Sequence, residues 1–239
     1  FKYPQRPASP TVIVNPPQET YVQSDVRRTP ETRIPLDAFS FNGPRWVPNE
    51  HALTTFLLDP SGVIQVAKFN TDTLTTEFLT TGPERHSEAE IVVDPDSGTQ
   101  YMTCLENEVT IAVYQFQSGR WVKQRVVQPN FRPVLLPGPP AVFAVKPFVL
   151  NGKLYFFYNG ARGTDEISSL INGIDIYLGS GDGTINQSLT SAGFFGACLN
   201  PQYYVDNTGR RVHLYYYTSL PIPGIVNFGK YHRLSFTIE

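Results

Sequence analysis

Glu84, His86, Glu88 and Glu90, in the run GPERHSEAE, form the densest cluster of titratable side chains in this chain. Carboxylates beside an imidazole are the residue types from which general acid–base chemistry is built. A pair of them flanking one bond is what hydrolysis of an acetal needs. In a regular strand, positions 86, 88 and 90 share one face, a spacing that also describes the solvated edge of a sheet. No catalytic residue is assigned on this basis.

The other chemical motifs fall short on spacing. His51, His86, His213 and His232 include no pair at metal-ligand spacing. Cys104 and Cys198 belong to no CxxC or Cys/His group, so no metal site is expected. Both cysteines lie in apolar, strand-like runs and read either as buried free thiols or as one disulfide. GSGDGTIN (Gly179 to Asn186) lacks the Lys of a phosphate loop, and VDPDSG lacks the terminal Glu of a calcium loop. There is no GxSxG. The expectation is no cofactor.

Aromatic residues carry more. The chain has 13 Tyr and 16 Phe, and Tyr presents an apolar face with a polar tip, suited to sugar rings and protein surfaces. In the run Tyr215 to Tyr217 the middle ring must face opposite to its neighbours. Tyr158, Asn159, Arg162, Tyr204 and Tyr217 are the expected ligand-binding residues, with core packing as the alternative for each.

Composition bounds the partners. Of the 239 residues, 41% are hydrophobic and only 17% charged, with a net charge of −2. The cationic footprint of nucleic-acid binding is missing. No apolar run approaches the length of a membrane span, and the start at Phe1 is that expected of a processed product. Asn186-Gln187-Ser188 is a lone glycosylation tripeptide.

The elements that must position these residues are strands. LDPSG (Leu58 to Gly62), VDPDSG (Val93 to Gly98), VLNG (Val149 to Gly152) and VDNTG (Val205 to Gly209) are variants of one hairpin turn. Asp or Asn opens it through its own backbone, and Gly supplies the left-handed residue. Between the turns, strands are expected at 52–58, 63–69, 75–80, 89–93, 100–105, 109–117, 121–127, 142–150, 153–158, 174–178, 197–205, 212–218 and 233–238. VTIAVYQF alternates as a sheet wet on one face does, whereas KLYFFYNG is apolar on both faces. One helical turn is expected within Gly160–Gly173, capped by Thr164. Residues 1–45 are rich in proline and predict an extended arm or linker. Residues 46–239 predict the all-β recognition domain.

Two resemblances follow. The unit Ala89 to Val127, and the lines VKPFVLNGKLYFFYNG and NPQYYVDNTGRRVHLYYYTS, resemble blades of β-propeller lectins and five-bladed propeller glycosidases. In those glycosidases a catalytic carboxylate begins each innermost strand. The matching starts here carry Glu88 or Glu90, then Lys146-Pro147, then Ala197 to Asn200, so two of three acids are absent. The Pro-rich arm and the phrase Arg33-Ile34-Pro35-Leu36-Asp37 resemble the protruding or spike domains of small non-enveloped RNA-virus capsids such as caliciviruses and astroviruses. That resemblance implies a dimer or larger assembly on a virion or extracellular surface, binding a host glycan or protein receptor.

The expectation is an all-β domain of short antiparallel strands and hairpins, arranged as a propeller or as a barrel or sandwich, with a non-enzymatic recognition role. A propeller lectin or glycoside hydrolase is the alternative.

Overall fold

Asp59 illustrates why the chain turns where its sequence says. Its Oδ1 accepts hydrogen bonds from the Ser61 amide at 2.9 Å, the Ser61 hydroxyl at 2.6 Å and the Val63 amide at 3.0 Å. Gly62 then closes the turn at φ 84°, a conformation open to glycine at no steric cost. Asp94 repeats the device, accepting from the Asp96 amide and the Ser97 hydroxyl.

The computed structural model describes residues 45–131, 138, 140–163, 168, 171–206, 208, 210–219 and 229–238. The expected Pro-rich arm, the capsid-like phrase at 33–37 and most of the expected helical turn lie outside these residues. Among the described residues fifteen strands form four antiparallel sheets, each built from consecutive strands. Sheet 1 contains β1 (Arg45–Trp46), β2 (Ala52–Leu58), β3 (Ile64–Asn70) and β4 (Thr76–Phe78). Sheet 2 contains β5 (His86–Val93), β6 (Gln100–Glu106), β7 (Thr110–Gln117) and β8 (Arg120–Val127). Sheet 3 contains β9 (Pro140–Leu150), β10 (Lys153–Arg162), β11 (Asp175–Ser180) and β12 (Asn186–Ser188). Sheet 4 contains β13 (Ala197–Asp206), β14 (Arg211–Ser219) and β15 (Lys230–Thr237). The short β1 and β12 are the strands that sequence periodicity missed.

Consecutive sheets stack face to face, and the first strands adjoin one another, β1 with β5, β5 with β9, and β9 with β13. This is the arrangement of propeller blades, with each first strand innermost. The period-2 alternation of a strand then serves two cores at once. On β7, Ala112 and Tyr114 join the cluster with sheet 1, while Ile111 and Val113 join the cluster with sheet 3. On β10, Leu154, Phe156 and Tyr158 face sheet 2, while Tyr155 and Phe157 face sheet 4. Doubly faced burial explains why KLYFFYNG is apolar on both faces. Burying each such ring contributes about 2–3 kcal/mol. Cys104 and Cys198 are both buried, in different clusters, and are not bonded to each other.

Candidate functional site at the bulged inner strands

Three of the four inner strands, β5, β9 and β13, each carry a bulge toward the start. Register breaks between Ser87 and Glu90 on β5, opposite Phe157 to Asn159 on β9, and between Leu199 and Gln202 on β13. Two inner-strand residues thus face one residue of the second strand. The first residue of each bulge is left-handed: Glu88 at φ 50°, Ala144 at 55° and Asn200 at 60°. Glycine is the usual occupant of that position; Asn200 tolerates it, whereas Glu88 and Ala144 are held against their backbone preference. The bulges recur at an interval of 56 residues, the separation of several bonds between the sheets.

A bulge re-aims side chains. His86, Glu88 and Glu90 therefore do not share a solvated face, which corrects the reading from simple alternation. His86 turns wholly inward, while Glu88 and Glu90 are half-buried and point to the next inner strand. Glu88 Oε2 accepts from the Ala144 amide at 3.2 Å, linking one bulge to the next. Glu90 Oε2 accepts from Lys146 Nζ at 3.1 Å and lies 3.5 Å from Arg45 Nε. Lys146 is buried, and desolvation pushes its pKa below the ordinary lysine value against the opposing pull of Glu90. Tyr203 donates to Pro147 O at 2.5 Å and ties sheet 4 to sheet 3 in the same way.

Two carboxylates, two cations and an exposed amide at Asn200 thus line up along the inner strands. Glu90 is neutralised by its cations, and Glu88 is engaged by a backbone amide. This is a polar, hydrogen-bonding rim rather than a free acid–base pair. Among the described residues no group of three His, Cys, Asp or Glu is placed to hold a metal ion.

The imidazole of the titratable cluster belongs to a different structure, the junction between sheets 1 and 2. Gln65 Nε2 donates to Gly82 O and Glu84 O, both at 2.9 Å, so its Oε1 must accept. It accepts from the Thr80 hydroxyl at 2.8 Å and from His86 Nδ1 at 2.9 Å. His86 Nε2 lies 3.0 Å from the Tyr114 hydroxyl and 2.9 Å from Glu106 Oε2, which also bonds Lys123. Burial pushes the His86 pKa below the ordinary imidazole value, against the raising effect of Glu106.

The expected ligand-binding residues are not gathered at one place. Tyr158 is fully buried, stacked on Tyr177 at 5.1 Å; its hydroxyl donates to Asn186 Oδ1 at 2.7 Å and accepts from the Asn130 amide at 3.0 Å. Asn159, also fully buried, donates to the Cys198 carbonyl at 2.6 Å and so links sheet 3 to sheet 4. Arg162 ends β10, half-buried. Tyr204 is 61% exposed and stacks on His213, while Tyr217 is half-buried against Tyr231. Tyr204 and Tyr217 occupy sheet 4, and Tyr216 faces the core as the alternation requires. The sequon residue Asn186 is engaged through its side chain by Tyr158 and by the Gln128 carbonyl.

No family model matches the sequence, and no curated protein does. Solved structures do. The α-L-arabinanase of Penicillium chrysogenum, complexed with arabinobiose, matches at a TM-score of 0.48 and 11% identity, over 81% of this chain and 61% of that one. The α-L-arabinofuranosidase Arb93A of Fusarium graminearum, with an iminosugar inhibitor, matches at 0.47 and 10% identity, over 77% and 57%. A puromycin hydrolase matches at 0.46 and 14% identity, over 80% of this chain and 30% of its own length. The chain thus spans about three fifths of the length of the two fungal proteins.

Proposed function

We propose that this chain is a carbohydrate-recognising domain of propeller build, whose ligand meets the end where the inner strands begin. The observation that carries the reading is the left-handed bulge repeated at Glu88, Ala144 and Asn200 on three successive inner strands, which re-aims the polar side chains of Glu88 and Asn200 near the strand starts. Three left-handed non-glycine residues at equivalent positions of successive inner strands are the kind of backbone strain that a binding site can hold. The sparse charge of the chain suits a neutral, hydroxyl-rich ligand. Recognition without cleavage is the favoured form. Hydrolysis needs one carboxyl group as acid and a second as base or nucleophile, and Glu90 is already committed to Lys146 and Arg45. A glycan ligand suits an extracellular or otherwise exposed setting.

The test is a broad glycan array probed with wild type and Glu88→Gln, followed by analysis of the bound oligosaccharides for shortened products. Saturable binding of intact sugars, weakened about tenfold or more by Glu88→Gln at unchanged thermal stability, supports the reading. Shortened products that vanish in Glu88→Gln would replace it with a hydrolase. Silence across the array would overturn it.

A further inference from the structure

The segment leading into β13 reads LTSAGFFGACLN and contains no charged residue. Within it Phe194 and Phe195 are 53% and 43% exposed, although they lie between the buried Ala192 and Ala197. The two rings touch, with centroids 4.4 Å apart and planes at 70°. One ring therefore offers its face while the other stands beside it as a wall. This L-shaped corner is an unusual thing to leave in water. Two half-exposed phenyl rings present on the order of 200 Å² of apolar surface.

The turn beneath the rings is tight. Gly196 N donates to Gly193 O at 2.7 Å. A Cβ on Gly196 would sit 2.8 Å from Gly193 N, so only glycine closes the turn this tightly. Phe195 itself is at φ 60°, a left-handed conformation that strains a bulky L-residue. The chain carries this strain without gaining burial, because the ring it positions is exposed. Strain maintained in that way points to a function for the ring.

The corner also sits at the end of the fold already described. It immediately precedes Ala197, where β13 begins, and Asn200 of the third bulge follows on the same strand. A patch of this size is far below the roughly 800 Å² that each partner of a stable protein complex contributes. It matches one face of one sugar ring, whose axial C–H groups form an apolar surface that packs on an aromatic face. With no charge between Leu189 and Asn200, nothing in the segment recognises a carboxylate or sulfate.

We infer that Phe194 and Phe195 form a stacking platform for a neutral pyranose ring. This inference rests on the glycan-recognition reading and adds to it the ligand class and the apolar half of the site. The platform supplies the stacking surface, and the polar groups of the inner strands supply hydrogen bonds to the hydroxyls.

An array of neutral and acidic oligosaccharides, probed with wild type, Phe194→Ala/Phe195→Ala and Phe195→Gly, tests the inference. Neutral pyranose glycans should bind wild type, and the double variant should lose at least tenfold in affinity. Phe195→Gly should lose binding while keeping its melting temperature at or above that of wild type, because glycine adopts the left-handed turn without strain. Equal binding of neutral glycans by wild type and both variants overturns the platform and leaves glycan recognition standing. Binding confined to acidic glycans overturns the neutral-ring assignment. Silence of wild type on the whole array removes the glycan reading and the platform together. A Phe195→Gly protein that melts several degrees lower yet binds as wild type does would make the ring structural.

Discussion

Replacing Gln65 with leucine should be among the most damaging single changes in the chain, although no ligand group is touched. Gln65 is fully buried and makes four side-chain hydrogen bonds at 2.8–2.9 Å, two as donor and two as acceptor. Leucine keeps the volume and abandons Gly82 O, Glu84 O, the Thr80 hydroxyl and His86 Nδ1 together. Stranding the buried Thr80 hydroxyl and His86 Nδ1 costs about 1.5 kcal/mol each and stranding the part-buried carbonyls of Gly82 and Glu84 about 0.5 kcal/mol each, about 4 kcal/mol in all. The greater apolarity of leucine returns about 1 kcal/mol, for a net loss near 3 kcal/mol. In a domain of this size that corresponds to a fall in melting temperature of about 6–12 °C. Urea denaturation, followed by the fluorescence of Trp46 and Trp121, should show a lower midpoint at unchanged slope. A loss below about 1 kcal/mol would refute the reasoning, since it would mean that water satisfies these groups and that the junction between sheets 1 and 2 is wet.

Two further outcomes follow from the same geometry. Because burial lowers the His86 pKa, the unfolded chain takes up the imidazole proton before the folded one does. Stability is then full above about pH 6.5 and falls as the pH drops through the window beneath it. The urea midpoint should decline between about pH 7 and about pH 5.5, and His86→Gln should flatten that decline; an equal slope in the variant would assign it to carboxylates. Ala144→Gly should raise stability by about 0.5–1 kcal/mol, because Ala144 is left-handed at φ 55° and its amide bond to Glu88 survives the change. A drop in melting temperature would show that the methyl group packs more than it strains.

The fold was largely legible in the sequence, because hairpin turns and period-2 patterning are local signals. The segment expected at 52–58 is β2 as it stands, and most other strands differ only at their ends. The two missed strands, β1 and β12, are two and three residues long, too short for any periodicity. The site was less legible. Tyr158 was singled out as a tyrosine beside other tyrosines, but β10 lies between two cores, so neither of its faces meets solvent. His86 seemed to share a face with two glutamates, and the bulge at Glu88 separates them. Nothing in a glutamate announces a left-handed backbone. One signal was present and not used: Val93, Val149 and Val205 open the same turn at the interval of 56 residues that later separates the bonded partners of the inner strands. Phe194 and Phe195 were overlooked because an aromatic pair next to glycines reads as core until its exposure is known.

The stacking of consecutive sheets bears on how the molecule comes apart. Nearly every strand pairs with its neighbour in sequence, and each apolar cluster is shared by two successive sheets. Contacts so close along the chain let an all-β protein assemble without the long loop closures that slow sandwiches and barrels. Stability then divides into sheet terms and interface terms, as in a linear array of repeats. Sheet 3 is held on both sides, with Phe156 and Tyr158 in one interface and Phe157 in the other. Sheet 4, among the described residues, shares its apolar cluster with sheet 3 alone. Sheet 1 likewise shares its cluster with sheet 2 alone, so opening should proceed from the two end sheets toward the middle, and the amides of β10 should be among the last released to solvent.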